Sequence, residues 1–439
     1  MKRYRIGYVA LPGFNESELG EMQAVLGINP LNRSSIIGAT TKPVTGQHGL
    51  TLVPDRIFQD RTPLDVLVIP DIPTAAQDDP AFHAFLTDQC SRVAYVVASS
   101  GGVLALAKAD VLEGKAATAD DQGAKLLADY GVKPVFERRP VVDGKFYTAG
   151  HSTGMIEAAF MVLEKLRGTR FAKFAELTLE YDPHPQFTAH TPKKPVELTA
   201  GDAPTIAMAL PSGCYLPDFL GAVEVLSAFP NSKLHVVSHD KTPVQCLLGP
   251  KVVPTTTFAT CPQVDFVIMG ATQPMLLKDK ELLDFIRRQE PAAKGMISVC
   301  AGTLVYAAAG ILDGKTATSN FHHTPLLDKL GAKSSGTEVA IDGKFYSAGP
   351  AIGSYEVALK AVRDMYGIDA AHHIEQNVLE YAPKPVFGVG SPEKAGKWLA
   401  RISKYLIAAS LPFYLSAGRK GARYVKSQAS TRLLKPTST

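Results

Sequence analysis

Cys300 is the residue of this chain best placed to do chemistry. The β-favouring run Met296–Val299 leads into it, the small residues Ala301 and Gly302 follow, and an apolar run patterned like a helix, Leu304–Leu312, starts at once. A strand that turns this sharply into a helix lifts its apex residue beyond the strand ends. There the first helical N–H groups favour a thiolate over a thiol. The spacing predicts a nucleophile elbow, with Ala301 and Gly302 as its supporting turn. A buried structural cysteine is the plain alternative.

A thiolate that attacks carbon needs a proton donor for the charge that develops. Asp218 follows the turn Leu210-Pro211-Ser212 and opens a helix. A first-turn acid is expected there simply as a cap or dipole partner. The functional alternative is that Asp218 leans over the elbow, buried, protonated and able to donate. Glu18, after Leu11-Pro12-Gly13, has the same position in the first half of the chain, where Ser100 in Ala98-Ser99-Ser100-Gly101-Gly102 stands opposite Cys300. A hydroxyl needs a neighbouring base, and no histidine lies in the adjoining turns, so this first site is read as degenerate. The doublets His322-His323 and His372-His373 point to different faces and make no metal site by themselves. Gly388-Val389-Gly390 lacks the strand-to-helix setting of a phosphate loop.

The elements that must position these residues come in two copies. Leu112-Glu113-Gly114-Lys115 with Ala117-Thr118 returns as Leu312-Asp313-Gly314-Lys315 with Ala317-Thr318. Asp143-Gly144-Lys145-Phe146-Tyr147 returns as Asp342-Gly343-Lys344-Phe345-Tyr346, and Leu179-Glu180-Tyr181 as Leu379-Glu380-Tyr381. The offset, about 200 residues, is that of a duplicated domain rather than a solenoid. Within each copy short apolar strands alternate with amphipathic helices. This predicts an α/β fold, two tandem flavodoxin-like domains, each a mainly parallel sheet with helices on both faces and its chemistry at the carboxyl ends of the strands. The expected divisions are a first domain over 1–190, a linker over 191–203, a second domain over 204–392 and a basic extension over 393–439. In that extension Trp398–Leu415 reads as a short amphipathic helix broken at Pro412. It either packs on the body ahead of a disordered basic end or touches an anionic membrane surface.

Charge is unevenly spread. The formal net charge is +4, yet Lys394–Thr439 holds ten Lys/Arg and no acid, leaving 36 basic against 42 acidic residues before it. The body is therefore acidic, and nucleic acid is not an expected partner. Five cysteines without regular spacing argue against a disulfide framework and for the cytoplasm. No run is apolar enough for stable membrane insertion, and the N-terminus reads as a strand rather than a leader.

Several stretches together resemble the ThiJ/PfpI superfamily, with its class I glutamine-amidotransferase-like fold. They are Leu11-Pro12-Gly13 with Glu18, Asp65-Val66-Leu67-Val68-Ile69-Pro70, Asp218 with Glu224-Val225-Leu226, Ser298-Val299-Cys300-Ala301-Gly302, and Gly390-Ser391-Pro392-Glu393-Lys394. The nearest branch by resemblance is isonitrile hydratase. That resemblance implies a lyase without a cofactor or metal, in which Cys300 attacks the terminal carbon of an isonitrile, Asp218 supplies the proton, and the thioimidate takes up water to release an N-substituted formamide. Ala301 departs from the Thr or Ser usual after the cysteine, and Asp71-Ile72 and Ala271-Thr272 replace the usual Gly-Gly. Other readings on the same fold are a glyoxalase- or deglycase-like cysteine enzyme, which by resemblance carries a histidine where Asn320 stands, and a non-catalytic ligand-binding or regulatory protein. Family members commonly pair near the elbow, which implies an intrachain pseudo-dimer of the two copies, with further self-association open.

Overall fold

The computed structural model of the chain describes residues 2–137, 139–192 and 196–433. Lys193–Pro195 of the expected linker and 434–439 of the basic extension lie outside the described residues. Two compact units are present. The first comprises Met1–Val196, Gln245–Val253 and Ile368–Gly396; the second comprises Glu197–Val244, Pro254–Gly367 and Lys397–Thr439. Each is built on a seven-stranded sheet that is parallel except at one edge.

In the first unit the strands run, across the sheet, Val141–Asp143, Phe146–Ala149, Tyr95–Ser99, Val66–Ile69, Arg5–Val9, Arg33–Gly38 and Arg56–Ile57. The second repeats this order as Val339–Asp342, Phe345–Ala348, Gly295–Val299, Phe266–Met269, Thr205–Ala209, Lys233–Ser238 and Thr256–Thr257. Phe266–Met269 and Gly295–Val299 are buried along their whole length, as strands covered by helices on both faces must be. Leu282, Leu283, Phe285 and Ile286 of the helix Lys280–Gln289 fill the core beside them. Tyr306 ties the two strands together: its buried hydroxyl donates to the carbonyls of Val267 (2.9 Å) and Ile297 (3.0 Å).

The segment Gln245–Val253 reaches the first unit through a strand, with Val252 opposite Leu52 in an antiparallel ladder. Ile368–Gly396 joins the same unit through carboxylates that collect its backbone donors. Glu176 accepts from Phe387 and Val389, both at 2.8 Å, and Glu157 from Lys384 at 2.8 Å. The Gly388 turn is thus held by an anion of the protein's own.

The extension departs from expectation. A helix over Pro392–Ala408 breaks at Gly396 (φ 75°), and a second helix, Leu411–Leu433, runs through the region where a disordered end is expected. Pro412 does not break a helix; it sits in the first turn of the new one, where its missing N–H costs nothing. Small residues hold this helix to the second unit. Ala417 and Val425 are buried, and at Gly421 the backbone approaches so closely that an added Cβ would lie 2.1 Å from the Leu277 carbonyl oxygen. Gly421→Val is expected to cost about 1 to 3 kcal/mol through overpacking. A lowered thermal midpoint checks this; an unchanged one would mean the helix is not seated as described. Among the described residues no helix is long and apolar enough to cross a membrane.

Candidate active site

Cys300 is the one cysteine of the five that is not buried. Its φ is 57°, in the left-handed region that a side chain adopts only when its surroundings enforce it. Three contacts fix it there. Its N–H donates to Ala348 (2.9 Å), its carbonyl accepts from the Ser319 hydroxyl (2.6 Å), and its Sγ accepts from Asn320 Nδ2 (3.0 Å). The turn tolerates only glycine two residues on, since a Cβ at Gly302 would lie 2.2 Å from the Met269 carbonyl oxygen. The elbow read from Ala301 and Gly302 is therefore present as geometry, and Cys300 is partly exposed.

Asp218, in the first turn of the helix Pro217–Ser227, is completely buried. Its carboxylate does not cap that helix. Oδ2 accepts from the Ala271 N–H at 3.0 Å and Oδ1 from the Ala351 N–H at 2.9 Å, and the carboxyl is also hydrogen-bonded to the Cys300 side chain. Burial pushes its pKa up to about 6, against the pull of those three hydrogen bonds. A cysteine sulfur and a carboxyl that holds its proton more tightly than usual are thus in hydrogen-bond contact. Such a pair interconverts between thiol–carboxylate and thiolate–carboxylic acid, and the second form holds both a nucleophile and an acid.

Three neighbours of this pair were not singled out by sequence reasoning. Asn320 was noted only as standing where a histidine was expected; here its amide NH₂ points at the sulfur. The orientation is fixed because Oδ1 accepts from His323 N–H (3.0 Å) and faces His323 Nδ1 at 2.7 Å. Nδ1 must then carry the imidazole proton, leaving Nε2 as an acceptor that is buried without a protein partner. Burial, with His322 beside it, pulls the His323 pKa down to about 4, so the ring is neutral near pH 7. Tyr414, from the C-terminal extension, stands edge-on to His323 with ring centroids 4.4 Å apart and donates to the Thr272 carbonyl at 2.8 Å. Burial raises its phenol, and the Cys300 and Asp218 charges add to the shift. Tyr215 is raised by burial and by the same two groups. Asn320→Ala removes the donor to sulfur and is expected to slow iodoacetamide alkylation of Cys300 at pH 7 by about tenfold. An unchanged alkylation rate would show that the contact does not hold the thiolate.

The equivalent place in the first unit is built differently. Ser100 also has a left-handed backbone (φ 36°), but it is buried and its hydroxyl donates to the Gly150 carbonyl. Glu18 is buried, accepting from Ser99 Oγ and from the Asp71 N–H at 2.6 Å. Asp71 itself accepts from the Gly101 N–H at 2.8 Å, so a carboxylate of the chain covers the backbone donor that follows the elbow. Position 271, opposite Asp71, is alanine and has no carboxylate to offer. A histidine is present after all: His151, opposite Pro350 in the repeat, lies 3.5 Å from Glu380. Burial pulls its pKa down, but Glu380, Glu18 and Asp120 outweigh this and push it up to about 9. Protonated at neutral pH, it is no base for Ser100.

Burial raises Glu18 to about 8, with the Asp71 charge adding to it, and Asp71 is raised as well. All three groups hold their protons more tightly folded than unfolded. The stability they contribute is complete at low pH and is lost as pH climbs, from the ordinary 4.5 of Glu18 through about 8 and from the ordinary 6.5 of His151 through about 9. The thermal midpoint is therefore expected to fall between pH 5 and pH 9 by about several degrees, and Glu18→Gln to flatten that fall. A midpoint that rises over this range contradicts the assignment.

Residues 5–165 and again residues 205–364 match the DJ-1/PfpI family. The chain belongs to that family and carries it twice. Isonitrile hydratase of Pseudomonas putida is 38% identical over 180 residues, which are 40% of this chain and 78% of that protein. Protein DJ-1alpha of Drosophila melanogaster is 28% identical over 148 residues, 32% of this chain and 68% of the relative. Among solved structures, a ThiJ/PfpI family protein of Pseudomonas syringae aligns over 99% of its length with 53% of this chain, at 24% identity and a TM-score of 0.46.

Proposed function

We propose that the second unit is an isonitrile hydratase. The reading is carried by one observation, a partly exposed Cys300 hydrogen-bonded to the buried Asp218 whose pKa is pushed up to about 6. The likeness to the Pseudomonas putida protein supplies the substrate class. In the thiolate–acid form, sulfur attacks the terminal isonitrile carbon and a C–S bond forms. The same carbon takes the proton of Asp218, giving a thioimidate. Water then adds to that carbon, one of its protons returning to the Asp218 carboxylate and the other going to nitrogen. The C–S bond breaks, the electron pair leaves with sulfur, and an N-substituted formamide departs. Nucleophile, acid and proton return all come from the chain, so no cofactor is needed for any step.

Tyr414, Tyr215 and the neutral His323 surround the pair with aromatic, uncharged surface, which suits a neutral, largely apolar substrate. In this reading Asn320 steadies the thiolate, and Ser100 with Glu18 forms a relic whose backbone donor is covered by Asp71. The test is incubation with an aryl isonitrile and, in parallel, with methylglyoxal. Formamide from the first substrate, absent with Cys300→Ser, is expected. Lactate from the second would assign a glyoxalase-like activity instead, and no product from either would leave a ligand-binding protein.

A further inference from the structure

A cleft of about 650 Å³ lies in the second unit, away from Cys300, between the C-terminal helix Leu411–Leu433 and the turns that follow the elbow helix. Arg287, Lys329, Arg419, Arg423 and Lys426 line it, with Asp313 as the single carboxylate. Arg419, Arg423 and Lys426 belong to the basic extension, but Arg287 and Lys329 come from the part of the chain before Lys394, where acidic residues outnumber basic ones. Three of the five cations, Lys329, Arg419 and Arg423, have no carboxylate partner among the described residues. Arg287 donates to the Ala309 carbonyl at 3.2 Å. Cations gathered on one concave wall repel each other and raise the local potential, and an anion seated among them relieves both.

We propose that this cleft binds a small polyphosphorylated molecule, of the size and charge of a nucleoside triphosphate. Three guanidinium groups offer the paired N–H donors that match phosphate oxygens, which ammonium groups alone do not. The volume lies within the range of small-molecule sites, and a concave cleft of this size suits a compact ligand better than a duplex or a bilayer. Arg419, Arg423 and Lys426 stand on the helix that also supplies Tyr414, so a ligand that bridges them to Lys329 and Arg287 fastens that helix to the unit.

The test is calorimetric titration of the full chain with sodium tripolyphosphate and with ATP, at low and at physiological salt. One-to-one binding that weakens with salt and raises the thermal midpoint is expected. Lys329→Gln/Arg419→Gln/Arg423→Gln is expected to weaken it by at least about 30-fold, and Lys278→Gln/Lys420→Gln, outside the cleft, by less than about twofold. If the triple variant does not fold, Arg423→Gln alone is expected to weaken binding about threefold. The proposal is overturned if neither phosphate compound binds at millimolar concentration or if the cleft variants bind as tightly as the parent. Tighter binding to a short DNA duplex or to phosphatidylglycerol vesicles than to tripolyphosphate overturns it too.

Discussion

Cys300→Ser is expected to abolish formamide production from an isonitrile, lowering kcat/KM by about 10⁴-fold or more. The elbow would survive the change, because serine fits the same turn, as Ser100 does with its φ of 36° in the first unit. What is lost is the soft, ionisable atom. An alkoxide is not accessible here: His323 is neutral and carries its proton on the nitrogen that faces Asn320, and Asp218 accepts from two backbone N–H groups. The comparison that isolates chemistry from folding is the thermal midpoint, expected to change little. Ser100→Ala, by contrast, is expected to leave formamide production within about twofold, since its hydroxyl is turned away to Gly150. A Ser100 variant that loses activity would move the chemistry to the first unit.

The second large effect is expected at Asp218. Its carboxyl titrates near pH 6, and the competent pair holds one proton in total. Below about pH 6 a second proton binds, the pair becomes thiol plus carboxylic acid, and the rate falls as pH falls. Asp218→Asn keeps the shape and removes the acid. The rate at pH 7 is expected to drop by about 10² to 10⁴-fold, the limb near pH 6 to vanish, and the residual activity to rise toward alkaline pH as the thiol ionises unaided. The amide NH₂ would also face the Ala271 or Ala351 N–H, so a modest loss of stability accompanies the change. Retention of the acid limb in Asp218→Asn would assign that titration to another group.

Much of this arrangement can be read from the chain because its constraints are local. A cysteine between an apolar strand and Ala301-Gly302 needs a tight turn, and the duplicated Asp-Gly-Lys-Phe-Tyr hairpins mark the antiparallel edge of both sheets. Asp218 was legible only as one of two possibilities, since a first-turn acid serves equally as a cap. What decides is that its oxygens go to Ala271 and Ala351, 53 and 133 residues away. Asn320 and His151 carry no spacing signal, because loops beyond short strands bring them in, and His151 stands opposite a proline, Pro350, in the other copy. Tyr414 was hidden by composition. The basic residues of the extension suggested a solvated end, while the packing information sat in Ala417, Gly421 and Val425, whose smallness leaves no hydrophobic periodicity to detect. The segments Gln245–Val253 and Ile368–Gly396 join the first unit through one ladder and a few carboxylate contacts, which no local pattern announces.

The most direct measurement is rapid-quench mass spectrometry of the full chain mixed with an aryl isonitrile. The thioimidate mechanism predicts a transient mass gain equal to one isonitrile, confined to the peptide that contains Cys300, appearing before formamide and absent in Cys300→Ser. Formamide accumulating while Cys300 stays unmodified at every quench time, or the adduct residing on another residue, would contradict it.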